Sequence, residues 1–230
     1  GVFEGDIDYT PDIILIDSWR FGHAAIVNKC KKYCDEKGIL FLSTPDETDS
    51  ADFLAELGVS VMKTASQDVT NTPFLSHVAR LGMPVIFSTG ACTLTELAEG
   101  VEAIRAETDE LIILHCVSSY PTMPLDANLN VINTIKNLSL KYKNIVPGYS
   151  SHDLTRTAAA MSLALGAKII EKHIKISENK WGHFDETALD VNYEFPYWVE
   201  YVRSSENILG DEVKKINKSE HHKYSFRKNS

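Results

Sequence analysis

The sequence predicts an α/β protein: a (β/α)8 TIM-type barrel lacking its first two strands. Three observations predict it. Short β-branched runs alternate with amphipathic stretches, the pattern of parallel strands joined by right-handed helical crossovers. Nearly every strand candidate finishes in small polar residues: Ser43 and Thr44, Ser66, Ser88 to Gly90, Ser118 and Ser119, Ser150 and Ser151. In a barrel of this kind the ligand site lies at the C-terminal strand ends. Five hydroxyl-bearing ends converging on one mouth suit an anion held by hydroxyls and backbone N–H groups. Any one such end is equally well a turn or a helix cap; five together are less easily dismissed. Finally, six strands are legible, and six cannot close a barrel of this class.

The elements follow in order. The opening twenty residues are irregular, and "DIILI" reads equally as a strand or as the start of a helix. No two convincing strands precede residue 39. A helix spans about 19–37, and then "ILFLST" (39–44) is the first clear strand. After it come "VSVMKTAS" (59–66), "MPVIFSTG" (83–90), "LIILHCVSS" (111–119), "IVPGYSS" (145–151) and "AKIIEKHI" (167–174). The amphipathic stretches 48–57, 73–81, 93–106, 128–143 and 154–165 lie between them, and a last helix spans 193–209. No internal repeat or low-complexity linker interrupts the series.

Bulk properties narrow the function. At 230 residues and 43% hydrophobic the chain can bury a full core. Its formal net charge of -9, with no basic patch interleaved with aromatics, argues against nucleic acid as a partner. No run approaches the roughly 18 apolar residues of a membrane span, and no signal peptide opens the chain. Cys30, Cys34, Cys92 and Cys116 lack zinc-site spacing; free thiols without an export signal suit a reducing cytoplasm. The chain does not open on Met, so it reads as a piece of something longer.

The chemistry concentrates in "AKIIEKHIKI" (167–176) and "PGYSSHDL" (147–154). The first is an apolar strand that carries Glu171, Lys172, His173 and Lys175, although buried charge is costly unless paired or bound to something. Alternation puts Glu171, His173 and Lys175 on one face and Lys172 on the other, toward the helices, where a structural role is expected. His152 follows the neighbouring strand end. Adjacent parallel strands lie close to 4.8 Å apart, so His152 and His173 together can ligate one ion. Two imidazoles with oxygen and water ligands suit manganese or a similar divalent ion. Glu171 can orient a ligand or pair with a barrel lysine such as Lys63; a plain structural ion pair is as good a reading. An inward Lys63 can form a Schiff base with a carbonyl substrate or neutralise a phosphate or carboxylate. His115 sits mid-strand and is a weaker candidate. Trp181, His183, Asp185 and Glu186 form a polar and aromatic loop after the last strand, where a substrate would be covered. His221 and His222 read as a solvated tail.

Six stretches in order, "YCDEKGILFLSTP", "FLAELGVSVMKTASQDVTNTPFL", "PVIFSTGACTLTEL", "LHCVSSYPTMPLDANL", "GYSSHD" and "LGAKIIEKHI", resemble the sialic acid synthase family, which includes the spore-coat polysaccharide synthases. The resemblance covers roughly residues 24 to 216. It implies a (β/α)8 barrel over 1–216, with 217–230 a linker toward an absent C-terminal antifreeze-like (SAF) domain. It implies a metal, Mn2+ with Mg2+ or Co2+ as alternatives, on His152 and His173. It implies phosphoenolpyruvate held by Ser66, Ser88, Ser118 and Ser150; beside these, the residues themselves offer Tyr120 and Asp185 as further substrate-binding candidates and Lys63 and Glu171 as catalytic candidates.

The implied reaction is attack of C3 of phosphoenolpyruvate on the aldehyde of an open-chain N-acetylated hexosamine. Water then adds at C2 and phosphate leaves by C–O cleavage, giving a nonulosonic acid. The implied setting is cytoplasmic, and the family is commonly a homodimer. Departures are visible. The family usually reads GYSDHT where this chain reads "GYSSHD", so Ser151 stands where an Asp is usual. The usual PGPDHKASL loop becomes "WGHFDETAL", and a Glu and a Lys of the family's first two strands find no match. A Schiff-base aldolase using Lys63 and a non-catalytic binding barrel are the rival expectations.

Overall fold

In the computed structural model, which describes residues 13–17, 24–176 and 186–220, strand and helix alternate almost without exception. The order is β1 (Ile13–Asp17), α1 (Ala24–Lys37), β2 (Leu40–Thr44), α2 (Thr48–Glu56), β3 (Met62–Thr64), α3 (Thr72–Arg80), β4 (Val85–Ser88), α4 (Leu94–Arg105), β5 (Leu111–Cys116), α5 (Val131–Leu138), β6 (Ile145–Ser151), α6 (Thr157–Leu165), β7 (Ile169–Lys172), β8 (Ile174–Lys175), β9 (Leu189–Asp190) and α7 (Phe195–Leu209). All strand pairs are parallel. β3 to β7 form one sheet in sequential order, β1 pairs with β2, β8 pairs with β9, and β2 lies beside β3. Sequential parallel strands joined by helices form the wall of a (β/α) barrel.

Several boundaries differ from expectation. "DIILI", ambiguous in sequence, belongs to a strand: Ile13–Asp17 runs parallel to β2 in the register Ile13↔Leu40. One strand therefore precedes Leu40, where the sequence left strand and helix open. The stretch 59–66 shrinks to three residues because the chain enters a 3-10 turn at Ser66–Asp68. The helix expected over 128–143 ends at Leu138, where the Ser139 hydroxyl takes the carbonyl of Lys136 at 2.6 Å. The strand expected over 167–174 breaks at His173, whose carbonyl turns to accept from Leu189 N–H at 2.9 Å. Beyond α7, residues 211–220 are exposed throughout. No described helix is long and apolar enough to cross a membrane.

Helix starts follow local chemistry. Thr93 and Glu96 form a reciprocal capping box on α4, with Thr93 N–H donating to Glu96 Oε2 at 2.7 Å and Glu96 N–H to Thr93 Oγ1 at 3.3 Å. Asn71 Oδ1 accepts from Phe74 N–H at the start of α3.

Two apolar layers lie on opposite sides of the strands. The larger packs strands against helices and includes Phe41, Met62, Val85, Phe87, Leu111 and Ile113, all nearly inaccessible. The smaller lies inside the wall: Leu42, Ile86 and Leu114, with Val61, Ile112 and Ile169 against them. Each of these comes from a different strand or its lead-in, apart from Ile112 and Leu114 on β5, so they form an apolar floor across the interior. Gly148 of β6 completes it by having no side chain. A Cβ there would stand 2.4 Å from Leu114 Cδ2 and 2.8 Å from the carbonyl oxygen of Ile169.

The floor therefore makes a direct prediction. Gly148→Ala should destabilise the protein by about 1–3 kcal/mol, as overpacking does, because the backbone oxygen cannot move without disturbing β7. Urea unfolding monitored by circular dichroism measures it, and unchanged stability would show that the floor has room.

Candidate active site at the strand ends

Residues of like parity share a face of a strand, so the floor dictates what stands above it. Two residues beyond Leu42, Val61, Ile86, Leu114, Gly148 and Ile169 come Thr44, Lys63, Ser88, Cys116, Ser150 and Glu171. Two further on β6 and β7 come His152 and His173. A polar layer thus caps an apolar one at the C-terminal strand ends.

Glu171 is the hub. Its Oε1 accepts from Ser150 Oγ at 2.8 Å, and its Oε2 lies 3.4 Å from Lys63 Nζ. The register Ser150↔Glu171 sets the first contact. The second reaches across the interior from β3 to β7. Burial raises the pKa of Glu171, but the Lys63 ammonium, the Ser150 hydrogen bond and the two nearby histidines outweigh it, so the carboxyl is held below its ordinary value. Lys63 is buried and stands as the counter-ion of an anion.

The two histidines stand together as expected, with ring centroids 5.1 Å apart. His152 is buried, and its Nδ1 lies 2.8 Å from the carbonyl oxygen of Val117. A carbonyl only accepts, so Nδ1 carries the proton and the lone pair is on Nε2. Ser150 Oγ lies 3.4 Å from that Nε2. Burial, only partly offset by the Val117 contact, lowers the pKa of His152. Burial and the neighbouring His152 push His173 down to about 4. Both rings are therefore neutral near pH 7, the form that ligates metal. Tyr120 covers the pair, its ring centroid 4.2 Å from His152 and 5.7 Å from His173, edge-on to the latter. Among the described residues no group of three or more His, Cys, Asp or Glu gathers as a ready metal cluster.

A ring of small polar groups lies beside the histidines. Ser66 Oγ accepts from Gly90 N–H at 2.9 Å and donates to Cys116 Sγ at 3.6 Å. A Cβ on Gly90 would fall 2.1 Å from Ser118 Oγ, 2.8 Å from Ser66 Oγ and 3.1 Å from Cys116 Sγ. Ser66, Ser118 and Cys116 therefore meet at Gly90. Ser88 Oγ is buried without a hydrogen-bond partner among the described residues, a hydroxyl held ready for a ligand. Burial raises the pKa of Cys116, ahead of the lowering effect of Ser66, so it is a neutral thiol.

The structure thus gathers Lys63, Ser66, Ser88, Ser118, Tyr120, Ser150, His152, Glu171 and His173. Asp185, with Trp181 and His183, lies outside the described residues, as do His221 and His222. His115 does not join the site: its Nε2 pairs with the carbonyl of Ala127 at 2.8 Å on the outer side of β5, a satisfied buried histidine. Lys172 faces outward and donates to the Asp153 carbonyl at 2.6 Å. Sequence reasoning placed Thr44 and Gly90 among the polar strand ends but missed Cys116 and Asp153. Gly90 and Cys116 gain their place only through neighbours on other strands.

Comparison with known proteins gives a consistent picture. The model of the NeuB family matches residues 15–214. The spore coat polysaccharide biosynthesis protein SpsE of Bacillus subtilis is 37% identical over 80% of this chain and 48% of its own length. The N,N'-diacetyllegionaminic acid synthase of Legionella pneumophila is 33% identical over 80% of this chain and 51% of its own. The chain spans about half the length of the curated relatives it matches. The crystal structure of an N-acetylneuraminic acid (sialic acid) synthetase from Leptospira borgpetersenii, in complex with citrate, superposes with a TM-score of 0.78 at 32% identity, covering 90% of this chain and 70% of that one.

The Lys63–Glu171 pair generates a prediction. Lys63→Met leaves Glu171 without its cation and should cost on the order of 3 kcal/mol near neutral pH. A depressed carboxylate pKa contributes stability above the unfolded value, about 4.3, and that contribution is lost as pH falls through the lower folded value. The gap in melting temperature between parent and variant should therefore be widest near pH 7 and close toward pH 3. A gap independent of pH would show that the pair is not coupled to titration of Glu171.

Proposed function

The chain belongs to the NeuB family, and on that premise we propose that it condenses phosphoenolpyruvate with an N-acetylated hexosamine to a nonulosonic acid, releasing inorganic phosphate. The observation that carries this reading is the single polar layer in which neutral His152 and His173 adjoin the Lys63–Glu171 pair and the hydroxyls around Gly90. The first group suits a sugar carbonyl and the second an anion carrying both phosphate and carboxylate.

The residues divide the work. Lys63 supplies a cation, and Ser66, Ser88, Ser118, Ser150 and the neighbouring backbone N–H groups supply directional donors to phosphoenolpyruvate. Tyr120 orients the sugar beside the histidine pair, with Asp185 as a further contact. Glu171 fixes Ser150 and balances Lys63 while the anion is absent. The donor set on His152 and His173 fits a divalent ion, Mn2+ first with Mg2+ or Co2+ as alternatives, which when bound polarises the sugar's aldehyde as a Lewis acid. C3 of phosphoenolpyruvate forms the new C–C bond to the aldehyde carbon. Water adds at C2, and phosphate departs with its bridging oxygen. A Schiff base on Lys63 is the lesser reading, because Lys63 is engaged by Glu171 as a counter-ion.

Phosphate release from phosphoenolpyruvate tests the proposal, with manganese and a panel of N-acetylmannosamine, its 6-phosphate and diacetylated dideoxyhexosamines. Sugar-dependent release that stops with chelator and is abolished in His173→Ala is expected. Chelator-insensitive turnover, or borohydride trapping of a keto acid on Lys63, would replace this reading with the aldolase. Because the chain spans about half of its relatives' length, the assay belongs on the full gene product as well as on these 230 residues.

A further inference from the structure

Asp153 has no part in the condensation just described, yet its carboxylate is buried and fully engaged. Oδ1 accepts from Ser151 Oγ at 2.7 Å and from Tyr149 OH at 3.4 Å; Oδ2 accepts from Thr155 N–H at 3.0 Å and Thr155 Oγ1 at 2.8 Å. Lys172 Nζ donates to the Asp153 carbonyl at 2.6 Å and to Ser151 Oγ at 3.4 Å. These groups lie on the outer face of β6 and β7, opposite the histidines.

Their place in the chain is the informative point. Parallel pairing of β6 with β7 ends at Ser151↔Lys172. His152 and His173 are the next residue on each strand, just past the last rung. There Lys172, the residue before His173, reaches the main-chain carbonyl of Asp153, the residue after His152, and the Ser151 hydroxyl, while the Asp153 carboxylate braces that strand end through Ser151, Tyr149 and Thr155. The two strand ends are thus tied by side chain where the backbone ladder stops. Asp153 lies two positions beyond Ser151 on the same face, its Oδ1 2.7 Å from the Ser151 hydroxyl.

Resting on the proposed metal-dependent reading, we infer that Asp153, Ser151 and Lys172 form a clamp that fixes the separation of His152 and His173, with Asp153 a positioning residue for the ion they hold. Groups hydrogen-bonded directly to metal ligands commonly change metal affinity by 10- to 100-fold, and the clamp acts one step further back, through the strand ends that carry the two histidines.

Manganese binding by electron paramagnetic resonance, on the whole chain without substrates, tests this apart from turnover. Asp153→Asn and Lys172→Met should each weaken binding by at least about 10-fold while keeping a cooperative melt. Lys172→Met is the sharper variant: removing a cation near a cation site should tighten binding by electrostatics alone, whereas loss of the clamp weakens it. If Asp153→Asn does not fold, Lys172→Met decides the matter. Parent-like or tighter binding in Lys172→Met overturns the clamp and leaves the synthase reading standing. No manganese binding by the parent overturns the metal reading and the clamp together.

Discussion

A carboxylate above a floor of leucine and isoleucine must find its partners inside the protein, and Glu171 finds them on both sides. Ser150 is fixed by strand register; Lys63 arrives from the far side of the sheet. Desolvation disfavours ionised Glu171, and the gathered donors reverse the balance. That single reversal makes the rest of the layer possible. It keeps Lys63 buried as a cation, aims the Ser150 hydroxyl, and places a negative charge beside two neutral imidazoles. Without the pair, the inward positions of β3 and β7 would have to be apolar, and the interior would close as an ordinary core.

Much of this was legible in the sequence because two periodicities carry it. Alternation along "IIEKHI" assigned Glu171 and His173 to one face and Lys172 to the other, and the structure agrees on all three. The run "GYSSHD" put His152 at a strand end for the same reason. What stayed hidden depends on neighbours distant in sequence. Gly90 looks like an ordinary turn glycine until Ser118, Ser66 and Cys116 are seen around its missing Cβ. Cys116 carries no signal in sequence beyond lacking zinc-site spacing, until Ser66 is seen to donate to it. "DIILI" was undecidable because a short apolar run fits a buried strand and a buried helix equally well; only pairing with β2 decides it. Asp153 was passed over because its importance lies in contacts behind the site.

The relatives carry names of different products, whereas the strand-end hydroxyls and the histidine pair stand at the ends of short parallel strands. Thr187 and Ala188, both buried, lead into Leu189, which anchors β9 beside β8, the strand that follows His173.

Gly90 bears on how this chain can vary. Its contribution is space, shared by two hydroxyls and a thiol. Every single-base missense change in a glycine codon adds at least a Cβ, so this position has no conservative neighbour in the genetic code. Elsewhere in the layer a lineage can explore serine against threonine or one cation against another by small steps. At residue 90 the first step already fills the space that a ligand would need.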